Sequence, residues 1–192
     1  MHRTACRSML VISAVALLAA CGQKIEEEGV AQQPDANPAA TIPTPANEAG
    51  ANDFVAKAVA SDMFEIESSR AALEKSSSAE VKKFAQEMID AHTKSSADLK
   101  AALATSGLAI TPAATLPQDK ADKVAELRTT EANDFDKEYL DEQVDAHQAA
   151  LDLMQRYAND GDNAALKAFA AAKAPIIQGH YDHAKTLRDA IK

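Results

Sequence analysis

The chain has 192 residues, two cysteines and a net charge of -9, a size that fits one ordinary domain with extensions. Its excess of acidic residues repels phosphate backbones, which disfavours nucleic-acid binding. The sequence contains no Gly-rich phosphate loop, no Gly-x-Ser-x-Gly elbow and no His-Glu-x-x-His helix, so none of these enzyme classes is indicated.

Residues 1–20 have the pattern of a secretory signal peptide, with two arginines before an apolar run that is too short to span a bilayer. The run closes with Leu-Ala-Ala-Cys21, which resembles the lipobox of bacterial lipoproteins. The resemblance implies cleavage before Cys21 and anchoring to a membrane through several acyl chains on that residue. A plain signal peptide that happens to contain a cysteine is the alternative. Because Cys6 leaves with the signal, no thiol remains for a disulfide, a metal or a nucleophile.

The next segment, residues 21–51, is predicted to be a lipidated, flexible tether. It holds four prolines and a run of three glutamates but no aromatic residue, so it cannot bury enough apolar surface to fold. Gly22 after Cys21 resembles the sorting pattern for the outer membrane, which predicts a position on that membrane facing the periplasm. Cleavage removes two arginines and no acid, so the net charge of the mature chain becomes -11.

Residues 52–192 are predicted to form an all-α domain, because no run alternates with period two over the length of a strand. The first helix is predicted from a cap at Asn52 or Asp53 to about residue 76. The second is predicted from Ser77, in capping-box spacing with Glu80, to a C-cap at Gly107. A proline-containing connection follows, with a short helix over about residues 118–128 whose only large apolar side chains are a valine and a leucine.

Two more long helices are predicted, over about residues 133–158 and 163–191, joined by a turn at Asp160-Gly161. Pro175 predicts a kink or a break in the last helix. This order predicts a ferritin-like four-helix bundle with one crossover connection that contains the short extra helix, and simple up-and-down topology is the alternative. With no tryptophan and many alanines, the core is expected to be more aliphatic than aromatic, with the three tyrosines at helix boundaries.

Three histidines, His92, His147 and His180, interrupt the apolar stripes of three different long helices near their midpoints. Glu65 lies near the middle of the remaining helix, with Asp62 one turn earlier. Midpoints of antiparallel helices lie side by side, so these groups are predicted to share one layer. The counting is imperfect: His147 lies 14 residues before Gly161 and His180 lies 19 after it, a mismatch of about 7 Å that weakens the placement of His180.

The histidine layer has three interpretations. Polar residues in helical cores most often form a buried hydrogen-bond network, here with Glu65 and nearby serine and glutamine side chains including Ser69, Ser95 and Gln143. The second interpretation is a site for one zinc, iron, copper or manganese ion. A standard di-iron site is disfavoured, since a hydrophobic residue stands three positions before each histidine where such sites carry glutamate. In the third interpretation, the imidazoles respond to protons.

Four segments carry a resemblance to a known family: FVAKAVASDMFEIESS from Phe54, AEVKKFAQEMIDAHTKS from Ala79, FDKEYLDEQVDAHQAALDLM from Phe135 and LKAFAAAKAPIIQGH from Leu166. Over about residues 52–192 they resemble the bacterial domain-of-unknown-function family 4142, a ferritin-like group of secreted or lipid-anchored proteins. The resemblance implies a helical bundle, an envelope location and recurrent family positions at Glu65, His92, His147 and His180. It implies no activity.

The anchor, tether and bundle favour a non-catalytic binding or stress-related envelope protein, held to the membrane by its N-terminal lipid and meeting an unidentified protein partner. The alternative hypothesis is a metal-binding or redox protein of ferritin-like type. In that case a transition metal ion is bound inside the bundle by Glu65, His92, His147 and His180.

Overall fold

The computed structural model describes residues 50–191, and the predicted signal peptide, Cys21 and the tether as far as residue 49 lie outside the described residues. This part of the chain contains five helices and no strand: α1 Ala51–Lys75, α2 Ala79–Ser106, α3 Gln118–Thr129, α4 Ala132–Asp160 and α5 Ala164–Ala190. The all-α prediction is confirmed, and each helix boundary lies within two residues of the predicted one. None of the five helices is long and apolar enough to cross a membrane.

The four long helices form a bundle in which α1 and α5 each pack against both α2 and α4. At one end of the bundle, the amide of Asn163, just before α5, donates to the carbonyl of Ser106, the last residue of α2 (3.0 Å). At the other end, the Lys75 ammonium at the end of α1 lies 5.7 Å from the ring of Phe135 near the start of α4. Helices α2 and α4 therefore run in the same direction, and every pair of neighbouring long helices is antiparallel.

The connection between α2 and α4 consequently runs the length of the bundle. Its short helix α3 lies against α1 and α4 and buries Val124 and Leu127, its only large apolar residues. Lys75 donates to the carbonyl oxygen of Arg128 and so fixes the far end of α3 (2.8 Å). The predicted single crossover is confirmed, and the up-and-down alternative is wrong.

The start of α1 differs from the prediction. Neither Asn52 nor Asp53 is the N-cap, because the helix begins at Ala51, after Gly50, without a side-chain cap. The amide of Ala51 instead donates to the carboxylate of Asp162, from the turn between α4 and α5 (3.3 Å). A residue distant in sequence thus satisfies one of the free amides that a local cap would otherwise satisfy.

The ends of α2 follow the predicted chemistry with a shift of one residue. Ser78, and not Ser77, is the N-cap, and its hydroxyl accepts from the amide of Val81 (3.3 Å). At the other end Gly107 has φ of 74°, the left-handed conformation predicted for the C-cap.

The turn between α4 and α5 requires a glycine for a different reason. A Cβ atom on Gly161 would lie 2.5 Å from the carbonyl oxygen of Tyr157, a contact that no larger residue tolerates without a shift of the backbone. Asn163 then caps α5 by accepting from two amides of its first turn. Helix α5 continues through Pro175 without interruption, so the predicted alternative of a break is wrong.

The core is more aliphatic than aromatic, as predicted, but the positions of its aromatic residues differ from the prediction. All five phenylalanines are buried, and Tyr139 and Tyr157 are fully buried although they were predicted at helix boundaries. The ring of Tyr157 stacks on Phe54 with 3.9 Å between centroids, while its hydroxyl donates to Asp162 (2.8 Å). The hydroxyl of Tyr139 pairs with Ser69 (2.9 Å). Both tyrosines can be buried because each hydroxyl has a hydrogen-bond partner.

The apolar core is divided into two clusters along the bundle axis. One cluster surrounds Phe54, Leu99, Tyr157 and Leu166, near the turn between α4 and α5. The other surrounds Phe84, Leu127, Phe135 and Tyr139, near the opposite end. Each of the four long helices also contributes buried polar side chains to the zone where the two clusters meet, and we call this zone the polar layer. Its members are Asp62, Glu65, Ser68, Ser69, His92, Ser95, Gln143, His147 and His180.

Candidate metal centre

The three predicted histidines meet inside the polar layer. His92 on α2, His147 on α4 and His180 on α5 have ring centroids 5.5–5.9 Å apart in all three pairings. One ring nitrogen from each lies within 4.8 Å of the other two. Around a zinc ion, nitrogens bind at about 2.0–2.1 Å, so shifts of less than about 1 Å per ring would close this geometry.

The direction of the side chains explains why His180 joins the cluster despite the predicted mismatch. On a helix, each Cα–Cβ bond leans towards the N-terminus. His147 belongs to the helix that enters the Gly161 turn, so its side chain leans away from that turn. His180 belongs to the helix that leaves the turn, so its side chain leans towards it. These opposite directions bring the two imidazole rings closer together along the bundle axis. Counting residues from the turn does not include this effect.

Hydrogen bonds on the outer side of two rings set their tautomers. Nδ1 of His92 lies 2.8 Å from a carboxylate oxygen of Asp62, whose other oxygen accepts from Ser96 (3.1 Å). Nδ1 of His147 donates to the backbone carbonyl of Gln143 (2.8 Å). Since a proton occupies Nδ1 of each ring in these bonds, Nε2 is the nitrogen available to a metal. Such outer partners are typical of histidines that bind metals.

Five atoms of the polar layer are buried and have no hydrogen-bond partner among the atoms of residues 50–191. They are Nε2 of His92, Nε2 of His147, Nδ1 of His180, Oε2 of Glu65 and Oε1 of Gln143. Most buried polar atoms in proteins are paired, and a half-satisfied polar network is costly. The buried-network interpretation thus accounts for the outer nitrogens of His92 and His147 but leaves one nitrogen of every ring unexplained.

Glu65 lies beside the three histidines. Its Oε1 is 3.7 Å from Nδ1 of His147, on the outer side of that ring, and the cluster of mutually close ligand atoms contains only the three imidazoles. Burial raises the pKa of Glu65 to about 7, against the opposing effect of the nearby His92 charge. Glu65 therefore borders the cluster on the outer side of His147, and its role as a ligand stays a prediction.

Asp62 is the residue of the site that sequence reasoning placed in the layer without giving it a role. Its carboxylate is almost fully buried and carries the hydrogen bond to His92. Burial alone would lower the pKa of His92, but the hydrogen bond that its ring donates to Asp62 and the charges of Glu65 and Asp62 outweigh burial, so this pKa is raised. The spacing of the sequence could have indicated that Asp62 belongs to the site. Asp62, Glu65 and Ser69 recur at intervals of three and four, which places them on one helix face.

The other two histidines are neutral at pH 7. Burial lowers the pKa of His147 to about 4, with the His92 charge acting in the same direction. Burial likewise lowers the pKa of His180 to about 3, assisted by the charges of His147 and His92. Neutral imidazoles are the form that binds zinc, iron, copper or nickel, so the donors present suit a transition metal ion. The four-glutamate set of di-iron bundles is absent from the polar layer.

We expect the metal-free protein to lose stability as the pH falls from about 6.5 to about 4.5. In this window the unfolded chain protonates both His147 and His180, whose pKa values are about 4 and about 3 in the folded state. Glu65 acts in the opposite direction. Its pKa is about 7 in the folded state, so its carboxyl group binds a proton there while it is still ionised in the unfolded chain. His92 is protonated in both the folded and the unfolded state over most of the window, so it has little effect there. Protonation of His147 and His180 favours unfolding and protonation of Glu65 favours folding, so the net effect of low pH is destabilising. Thermal unfolding at pH 7, 6 and 5 measures this, and a constant or rising melting temperature would contradict it.

A family model described as Domain of unknown function (DUF4142) matches residues 36–187, which include α1 to α4 and most of α5. Neither curated proteins nor solved structures yield a significant match.

Proposed function

Because the chain belongs to the DUF4142 family, whose description specifies no activity, we propose a function from the site itself: the bundle binds one transition metal ion through His92, His147 and His180. The observation that carries the proposal is the convergence of three buried imidazoles, each with one nitrogen that has no partner within residues 50–191. A metal ion would satisfy all three nitrogens at once. Asp62 and the carbonyl of Gln143 support it by holding the outer nitrogens of two rings.

The donor set indicates the kind of ion. Three imidazoles beside one carboxylate suit zinc, iron(II), copper(II) or nickel(II) better than calcium or magnesium, which prefer oxygen ligands. Once bound, the ion would supply Lewis acidity or, if it is iron or copper, electron transfer. The protein's own contribution is a buried layer that holds the ligand nitrogens close together before binding.

The experiment is a metal titration of protein first stripped with a chelator. We expect one equivalent of Zn²⁺ or Co²⁺ per chain, and a stabilisation of about 2.7 kcal/mol when the free ion is at 100 times its dissociation constant. The matched control is His183→Ala, which removes a half-exposed histidine of α5 that lies outside the cluster. Metal binding below about one-tenth equivalent, with no change in melting temperature, would contradict the proposal.

We also propose that Cys21 carries lipid and holds the bundle at the outer membrane, facing the periplasm. The support is the arrangement of basic residues, an apolar run and small residues directly before Cys21. Cys21→Ser is expected to release the protein from the membrane fraction, while Cys6→Ser, the control within the signal, is expected to leave it there. Mass spectrometry of the mature N-terminus gives the independent measurement, and an unmodified Cys21 would contradict lipid anchoring.

A further inference from the structure

A cleft of about 440 Å³ opens between α2 and α5 and reaches the histidine cluster. His92 and His180 belong to its lining and are almost fully buried, and they lie at one end of the lined stretch on both helices. His147 and Glu65 do not line the cleft and lie on the other side of the cluster. An ion bound by the three histidines would therefore have protein behind it and the cleft in front of it.

The walls of the cleft are mostly apolar. The cleft exists because alanines on both helices have side chains too small to fill it. Phe169, Ile176 and Ile177 complete its apolar surface. The volume falls within the range of about 300–1,000 Å³ that is typical of small-molecule sites. The cleft has two of the features that such a site needs: an apolar wall, and polar atoms that converge at one end.

The charged residues of the lining favour an anion. They are Lys94, Asp98 and Lys173, so two cations face one carboxylate. Asp98 accepts from both lysines, at 2.7 Å from Lys94 and 2.6 Å from Lys173. One carboxylate cannot neutralise both ammonium groups, and Lys173 is almost fully buried next to the ring of Phe169. The lining therefore keeps one excess positive charge.

Coordination chemistry points to the same class of ligand. Three histidines are the protein ligands of one common type of zinc site, in which the fourth position is open to water or a substrate. Imidazoles contribute no charge, so the charge of a divalent ion is balanced by neighbouring groups. The nearby carboxylates of Asp62 and Glu65 do not line the cleft, so the excess positive charge of the cleft itself is not reduced by them. Because the cleft borders only His92 and His180, an open position facing it would be reached from the solvent along the apolar walls.

We infer that this cleft binds a small monocarboxylate with an apolar body, whose carboxylate takes the open position on the ion and whose body lies against Phe169 and Ile177. The inference rests on the proposed metal site and adds the ligand class and the route of entry. Charge complementarity with the two lysines and the ion selects the anion, and the apolar walls select the body.

The test uses the Co²⁺ form of the protein, whose visible absorption spectrum responds to a change of ligand. Benzoate and benzamide have the same shape, but only benzoate is charged. We expect benzoate to change the spectrum with an affinity at least about tenfold higher than that of benzamide. Equal binding of the two would overturn the anionic class, and no response to benzoate would overturn the inference. If no Co²⁺ binds at all, the proposed function itself has failed, which is a distinguishable result.

Two alanine substitutions on neighbouring positions of α5 test the location. Ala172 lines the cleft and is exposed, so Ala172→Leu narrows the entrance without touching a histidine. Ala171 is also exposed but does not line the cleft, so Ala171→Leu is the matched control. We expect Ala172→Leu to keep one equivalent of Co²⁺ and to weaken benzoate at least about tenfold, with less than about twofold change in the control. Unchanged benzoate affinity in Ala172→Leu would overturn the placement of the ligand in the cleft.

Discussion

His147→Ala is expected to weaken metal binding by more than about 100-fold, because removal of a hydrogen-bond partner of a ligand already costs about 10–100-fold and this change removes a ligand itself. His147 is the most buried of the three imidazoles, at 1% exposure, and water cannot easily replace it. Two histidines from α2 and α5 would remain. Competition against a chelator of known affinity gives the dissociation constant.

The same titration on His183→Ala provides the comparison. That substitution also removes one imidazole from the protein, but it leaves the three histidines of the proposed metal site in place. The melting temperature of each metal-free variant is measured in parallel, so that a folding defect is not mistaken for a loss of affinity. A dissociation constant for His147→Ala within about tenfold of the parent value would exclude the three-histidine site.

Asp62→Ala is expected to produce the second largest effect, a loss of metal affinity of about 10–100-fold. Asp62 does not belong to the ligand cluster but holds Nδ1 of His92, and without it the ring is free to rotate and change its tautomer. Because Asp62 also raises the pKa of His92, the substitution is expected to lower that pKa in the metal-free protein. An NMR titration of the His92 ring measures this shift directly.

Ser96→Ala is the matched control for Asp62. It removes the hydrogen bond to the second carboxylate oxygen of Asp62 and leaves the bond to His92 in place. We expect its metal affinity to stay within about threefold of the parent value. If Asp62→Ala leaves both the pKa of His92 and the metal affinity unchanged, Asp62 does not position the ligand.

Much of the fold could be predicted because helical periodicity and end signals are local properties of the chain. Gly107 and the short helix before α4 follow from spacing alone. The start of α1 could not be predicted in this way, since its first amide is bound by Asp162, more than a hundred residues later. The burial of Tyr139 and Tyr157 was missed for the same reason: each hydroxyl finds a partner that periodicity does not reveal.

The candidate site could be predicted as far as the identity of its histidines. Their positions on three apolar stripes are visible in the sequence, but the lean of the side chains that brings His180 to the depth of His147 is a three-dimensional property. The pairing of Asp62 with His92 depends on the contact between α1 and α2 and was not predicted. The cleft between α2 and α5 depends on which alanines face each other across two helices, a matter of rotation that sequence spacing does not fix.

The division of the apolar core into two clusters has a consequence for how the helices align. If one long helix slid by a single turn, about 5.4 Å, it would carry its imidazole or carboxylate out of the polar layer and into a cluster of leucine and phenylalanine. A bundle whose interior was apolar from end to end would lose far less from such a slip. The polar layer thus fixes the register of the four helices along the bundle axis, whether or not an ion is bound.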